Sequence, residues 1–134
     1  MLSLPTVEIL KRLEHHNVIE CGAGSGLWLR ILREFGIDAV GIDPYPRSDD
    51  LMFGSHRCLG KYSDRLLLIV WPPDGTIVQD WVDVWGGDWL AICGKTSRFE
   101  MPQIEKVWST TLEACRKGRS SFVLGRNPNH QREE

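Results

Sequence analysis

Apolar and polar positions along the chain switch repeatedly between a helical and a strand-like spacing, and the switches predict helices and strands in turn. Val7, Leu10 and Leu13 recur at helical spacing among Lys11, Arg12 and Glu14, and Pro5 suits a first turn, so residues 5–15 are predicted helical. Asn17 to Cys21 reads as a short buried strand that glycines stop at once. Leu27, Ile31, Leu32 and Phe35 then make one stripe of a helix over 27–35, with Gly36 just past its end. Ala39 to Ile42 is a second strand closing at Asp43, where Pro44 and Pro46 forbid further ladder bonding. Residues 47–64 are polar and irregular, with room for a loop and one short strand or helical turn.

From Arg65 to Trp71 the pattern is strongest: Leu66, Leu67, Leu68, Ile69 and Val70 run without a polar break, as in a strand buried on both faces of a parallel sheet. Pro72 and Pro73 end it. A helix is expected over 76–85 with Ile77, Trp81, Val84 and Trp85 on one side and Gly86-Gly87 as the stop. Trp89 to Cys93 is the next strand, Pro102 opens a predicted helix to about Cys115, and Ser121 to Leu124 supplies a last strand. Strands alternating with helices predict an α/β sandwich of three layers around a mostly parallel sheet. One domain over 1–126 is expected, with a polar, fraying tail at 127–134.

Composition narrows the class without choosing a function. In 134 residues, 42% are hydrophobic and 25% charged, the balance of an ordinary soluble domain. The net charge of −2 gives no general attraction to polyanions, although it is uneven: residues 1–94 hold 8 basic and 13 acidic side chains, residues 95–134 hold 8 and 5. Arg116, Lys117, Arg119, Arg126 and Arg132 make the C-terminal stretch mildly basic, which a solvated surface explains without a nucleic-acid partner. Cys21, Cys58, Cys93 and Cys115 are widely spaced, with no Cys-x-x-Cys pair and no secretory leader, so a reducing, cytoplasmic setting is expected. No apolar run reaches the length of a membrane span, and His15, His16, His56 and His130 lack metal-ligand spacing.

The chemistry concentrates where the first strand hands over to a helix, at Glu20-Cys21-Gly22-Ala23-Gly24-Ser25-Gly26. Glycines at alternate positions let the backbone turn sharply and touch a ligand with no Cβ in the way. Further on, Asp43 ends the second strand, where a carboxylate can accept two hydrogen bonds from the vicinal hydroxyls of a ribose. Together they suggest a nucleoside site. A dinucleotide fingerprint wants glycine at the place Leu27 holds, and no Gly-Lys-Ser or Gly-Lys-Thr follows to make a phosphate loop.

At these residues the chain resembles the class I S-adenosylmethionine-dependent methyltransferases, whose first motif is an acidic residue followed by Gly-x-Gly-x-Gly. The resemblance implies a small, truncated Rossmann-like fold that binds S-adenosylmethionine and releases S-adenosylhomocysteine. It implies that Glu20 orients the turn or the ligand's amino group, that Gly22, Ala23, Gly24 and Gly26 line the methionine part, and that Asp43 with Pro44 meets the ribose. The second informative stretch, Trp71-Pro72-Pro73-Asp74, stands where this family keeps its catalytic-face motif. Its first and last residues depart from the Asp/Asn-Pro-Pro-aromatic form of the amino-methylating branch. Trp71 can cover a sulfonium or a flat substrate, and is equally well a core aromatic. The two prolines stiffen the loop and are expected to free carbonyls toward the crevice; Asp74 is the candidate acid or base at the mouth, or else a helix cap.

Residues 44–64 are too few for the two helices and strand that the full family places there, and Leu59 and Gly60 are the candidates for a residual adenine wall. The C-terminus offers one further strand where the full fold has an antiparallel pair, so a homodimer or partner subunit is expected to cover an open edge. The resemblance leaves the methyl acceptor open. It also leaves open a non-catalytic S-adenosylmethionine-binding module, acting as a regulatory subunit or sensor, and more remotely a binder of NAD or another nucleotide.

Overall fold

The computed structural model describes residues 2–114 and 118–131. These residues form β1 (Val18–Cys21), β2 (Ala39–Asp43), β3 (Met52–Phe53), β4 (Leu66–Val70), β5 (Trp89–Gly94), β6 (Glu105–Ala114) and β7 (Gly118–Arg126). The helices are α1 (Leu4–Leu13), α2 (Leu27–Glu34) and α3 (Val78–Trp85), with a 3-10 helix over His56–Tyr62. All seven strands lie in one sheet in the order β3-β2-β1-β4-β5-β7-β6. The first five run parallel, β7 joins β5 antiparallel, and β6 pairs antiparallel with β7. The predicted α/β class, a Rossmann-like sandwich around a mostly parallel sheet, is the fold observed.

Period-two alternation divides the core between the faces. Val18, Leu66, Leu68, Ala91 and Cys93 face α1 and α2, where Ile9, Leu10, Leu13, Leu29 and Leu32 meet them. Ile19, Cys21, Leu67, Ile69, Leu90 and Ile92 face the other way, against Leu59 and against Val78, Val82 and Trp85 of α3. Two helical faces are therefore rotated from the sequence expectation. Leu27 and Phe35 of the anticipated stripe are exposed while Leu29 is buried, and Ile77 and Val84 are exposed while Val78 and Val82 are buried.

The helix expected from Pro102 to Cys115 is absent from the described part of that segment; Cys115 itself, with Arg116, Lys117 and Arg132, lies outside the described residues. Residues 105–114 are instead the long strand β6. Val107, Thr110 and Thr111 are β-branched and disfavour a helix, and Trp108 and Leu112, at even positions, pack together on the α1 face. Pro102 thus precedes a strand. With β7 extending over nine residues, the antiparallel pair thought missing is present, and β6 is the edge strand on that side.

Between β2 and β4, residues 44–51 carry no helix, and the two-residue β3 and the 3-10 helix are all that the described chain places there. At the pole where the strands begin, Asp88 accepts both Nε and Nη2 of Arg126 (3.0 and 2.6 Å), whose guanidinium lies 5.2 Å from the Trp89 ring. His16 contacts Trp89 as well, with ring centroids 5.4 Å apart. Asn127 is buried, its side-chain amide donating to the Gly87 carbonyl (3.0 Å), so the hydrogen-bonded body continues past residue 126.

Gly87 lies in the short link between α3 and β5, packed against the Trp85 ring. A Cβ there would overlap the Trp85 ring and the Ser63 carbonyl. Gly87→Ala is expected to destabilise the fold by about 2 kcal/mol in urea titration, an overpacking cost. Gly60→Ala, whose methyl would stand 3.5 Å from the Val84 carbonyl, should be close to neutral.

Candidate functional site

The C-terminal ends of β1, β2 and β4 converge on the glycine turn. Gly22, Gly24 and Gly26 adopt φ of +72°, +59° and +81°, values that side chains with a Cβ disfavour, so the alternating glycines are demanded by the path of the main chain. The turn is tied to β2 through the Ile42 carbonyl, which accepts from the N–H groups of Gly22 (2.9 Å) and Ala23 (3.1 Å). Asp43 Oδ2 then accepts from the Gly24 N–H at 2.8 Å, and Oδ1 from the Tyr45 N–H at 2.7 Å. Each carboxylate oxygen keeps a further acceptor site, and the side chain is half-buried at the crevice.

Glu20 has the opposite surroundings. It is 2% exposed, and its Oε1 has no hydrogen-bond partner. Burial, and then the neighbouring Asp43 carboxylate, push its pKa up to about 8. Cys21 is pushed up to about 12, first by burial and then by Asp43 and Glu20, so its thiol stays neutral and is no nucleophile. Ala23 is buried beneath the turn and Pro44 is exposed at its rim.

Two arginines missed by sequence reasoning flank the turn. Arg30 donates to the Ser25 carbonyl (2.9 Å), and Arg47 Nη2 lies 3.0 Å from the position a Cβ on Gly24 would take. Neither position carries a spacing signal, because contact is made across a loop or a helix turn.

At the end of β4, Trp71 has φ of +51°, a strained conformation for a bulky residue and one seen mostly where structure is over-determined. Its N–H donates to the Cys93 carbonyl (2.7 Å), extending the β4–β5 ladder, and the residue is half-buried. Pro72 is buried against Gly94, while Pro73 and Asp74 are exposed. The Pro73 carbonyl, expected to be free for a ligand, accepts instead from the Thr76 hydroxyl (2.5 Å) and N–H (3.0 Å). Asp74 is not the cap of α3, where Ile77 stands; it pairs with Arg98 at 2.9 Å and joins the loops after β4 and β5.

The remaining site candidates are not brought to the crevice. Leu59 is fully buried among Val82, Trp85 and Ile19, because the 3-10 helix turns it into the core, and Gly60 faces the Val84 carbonyl of α3. Trp85 is core, as its spacing suggested, but Trp81 is half-buried and reaches the glycine turn, with Cη2 3.6 Å from the position of a Gly22 Cβ. Among the described residues no group of three or more His, Cys, Asp or Glu could hold a metal ion, and no helix is long and apolar enough to cross a membrane.

A parallel sheet extended by an antiparallel pair, with an acid-glycine turn at its first crossover, defines the architecture of class I methyltransferases. The chain belongs to the methyltransferase domain family, whose model matches residues 4–113. No curated protein matches it in sequence. Among solved structures it is similar to Thermoplasma acidophilum 1320 (TM-score 0.64, 14% identity, 92% of this chain and 83% of that one). It is also similar to TrmK of M. capricolum in complex with S-adenosyl-homocysteine (0.60, 8%, 100% and 72%). A third likeness is to the antibiotic-resistance methyltransferase Kmr (0.55, 13%, 94% of each). At these identities the likeness establishes the fold.

Glu20 links the site to stability. An unfolded Glu ionises near 4.5 and the folded one near 8, so the folded state keeps a proton that the unfolded chain releases. The contribution of Glu20 to stability therefore falls as pH rises from 4.5 to about 8 and is level above that. Glu20→Gln should abolish that slope and stabilise the ligand-free protein at pH 8, by on the order of a few kcal/mol in denaturant titrations.

Proposed function

We propose that the protein transfers a methyl group from S-adenosylmethionine to an acceptor whose identity its residues do not specify. The observation that carries this reading is the buried, unpartnered Glu20 Oε1 beside bare main chain. An orphaned buried carboxyl is costly unless a ligand completes it, and the ammonium and sulfonium of this cofactor supply the matching charge. The residues present fit the group. Gly22, Ala23, Gly24 and Gly26 would lie along its methionine part, Glu20 would take the ammonium, and Asp43, with Pro44 at the rim, would hold the ribose hydroxyls on its remaining acceptor sites.

The cofactor supplies a methyl group already activated on sulfur, so the chain needs neither a strong nucleophile nor a metal. What its residues must do is align the acceptor for in-line attack and exclude water. We assign the acceptor face to Trp71 with Pro72 and Pro73, where the indole would lie over the transfer site. Asp74, already paired with Arg98, is better suited to holding the loop than to moving a proton.

Titration calorimetry with S-adenosylhomocysteine tests the cofactor site. Asp43→Ala should weaken binding about tenfold or more, the loss of charge-assisted hydrogen bonds, and absence of binding to the unmodified protein would overturn the reading. Transfer of labelled methyl groups to the protein, nucleic-acid or small-molecule fraction of a cell extract would establish the reaction. Binding with no labelled acceptor in any fraction would point to a cofactor-binding subunit instead.

A further inference from the structure

Among the described residues the sheet ends in two unequal edges. β3, at one, is two residues long; β6, at the other, runs from Glu105 to Ala114 with β7 on one side and no strand on the other. An edge of that length presents a row of main-chain N–H and C=O groups able to pair with a further strand. Proline, which would block such pairing, is absent from β6, and from Val107 to Leu112 no side chain is charged. Trp108, Thr110 and Leu112 are half-buried on the α1 face, while Ser109, Thr111 and Glu113 are exposed on the other.

That exposed face carries an acid near one end of the strand and a cation near the other. The Glu113 carboxylate lies 3.8 Å from Arg119 of β7 and is 82% exposed. Lys106 is brought to the same face by a bulge: it lies opposite Gly125, and Trp108 opposite Leu124, so Val107 is the extra residue. Successive partners on β7 point to opposite faces, which sets Lys106 with Ser109, Thr111 and Glu113 and apart from Trp108.

We propose that β6 pairs antiparallel with β6 of a second copy of this chain, about a two-fold axis at Thr110, giving a dimer with one continuous sheet. An axis normal to the sheet sets residues of the same face opposite each other, so the register shifts only in steps of two residues. With Thr110 facing its counterpart, Trp108 lies opposite Leu112, Ser109 opposite Thr111 and, past the Val107 bulge, Lys106 opposite Glu113. Apolar side chains then meet on the α1 face, and on the other face each Glu113 stands between Arg119 of its own chain and Lys106 of the second. Moving the axis to Thr111 sets Glu113 against Ser109 and carries Lys106 past the end of the strand. Moving it to Ser109 sets Lys106 against Thr111 and Glu105 against Leu112. The Thr110 register alone matches both faces.

This self-complementarity is what makes the occupant a second copy. Because β3 is too short to serve in the same way, the pairing closes at two chains. The parallel strands of the two chains run in opposite directions, so the crevices open at opposite poles and neither chain reaches the other's glycine turn. The assembly is therefore independent of the cofactor reading.

Sedimentation velocity on the full chain, over a concentration series, tests the dimer. It should predominate at about 100 μM and dissociate on dilution, because one shared ladder buries less than a standard interface. Lys106→Glu or Glu113→Lys alone sets like charges opposite at both ends of the ladder and should raise Kd about tenfold. The double reversal should recover the dimer. An equal mixture of the two single variants should recover it too, since each supplies the charge the other lacks. Both side chains are exposed, and melting curves check that each variant is folded. Hydrogen exchange on the unmodified chain gives a second readout, in which residues 106–114 should gain protection as concentration rises. The proposal is overturned by a monomer at about 100 μM, by exchange in β6 that ignores concentration, by single variants that associate as well as the original, or by no recovery in the mixture. S-adenosylhomocysteine should bind all of these variants equally, and its failure to bind the unmodified protein would overturn the methyltransferase reading alone.

Discussion

Asp43 and the Gly24 N–H, 2.8 Å apart, join the end of β2 to the turn that follows β1. The bond fixes the turn in a conformation that leaves its main chain uncovered, and it can form only because the parallel register brings Gly41 and Ile42 beside Glu20 and Cys21. Register in turn depends on the buried apolar runs of β1 and β4, where a slip of one residue would send each side chain to the wrong layer. Packing in the core thus sets the position of a carboxylate, and the carboxylate sets the shape of the ligand-facing backbone.

Charge placement follows from the same geometry. Glu20 and Asp43 are close enough to raise one pKa, yet differ in their partners: Asp43 accepts two main-chain N–H groups, and Glu20 Oε1 accepts none. One acid is satisfied by the fold, and the other is suited to a cationic partner. The stability forgone by burying Glu20 is what a binding site, as opposed to a purely structural turn, would be expected to forgo.

Much of this was legible in the sequence because it rests on local rules. Glycines with positive φ, an apolar run ended by two prolines and an acid closing a strand each betray their place without tertiary information. The misreadings arose where tertiary context decides. Pro102 is as acceptable before a strand as at a helix start, and only the pairing of β6 with β7 resolves the choice. Leu59 is an apolar residue on a polar segment, and whether it faces ligand or core depends on how the 3-10 helix meets α3. The Pro73 carbonyl is occupied by Thr76, three residues on, a turn that the proline pair alone does not announce. Arg47 and Trp81 reach the glycine turn from far along the chain, with no periodicity to mark them.

The bidentate Asp88–Arg126 pair, with Arg126 and His16 on Trp89 and Asn127 bonded to Gly87, gathers these polar ties at the pole where the strands begin. The crevice occupies the other pole, where backbone is bare and one acid is unsatisfied. The last described residues, with His130 against the Gly86 carbonyl (2.9 Å), accordingly lie on the clasped side, with the length of the sheet's strands between them and anything entering the crevice.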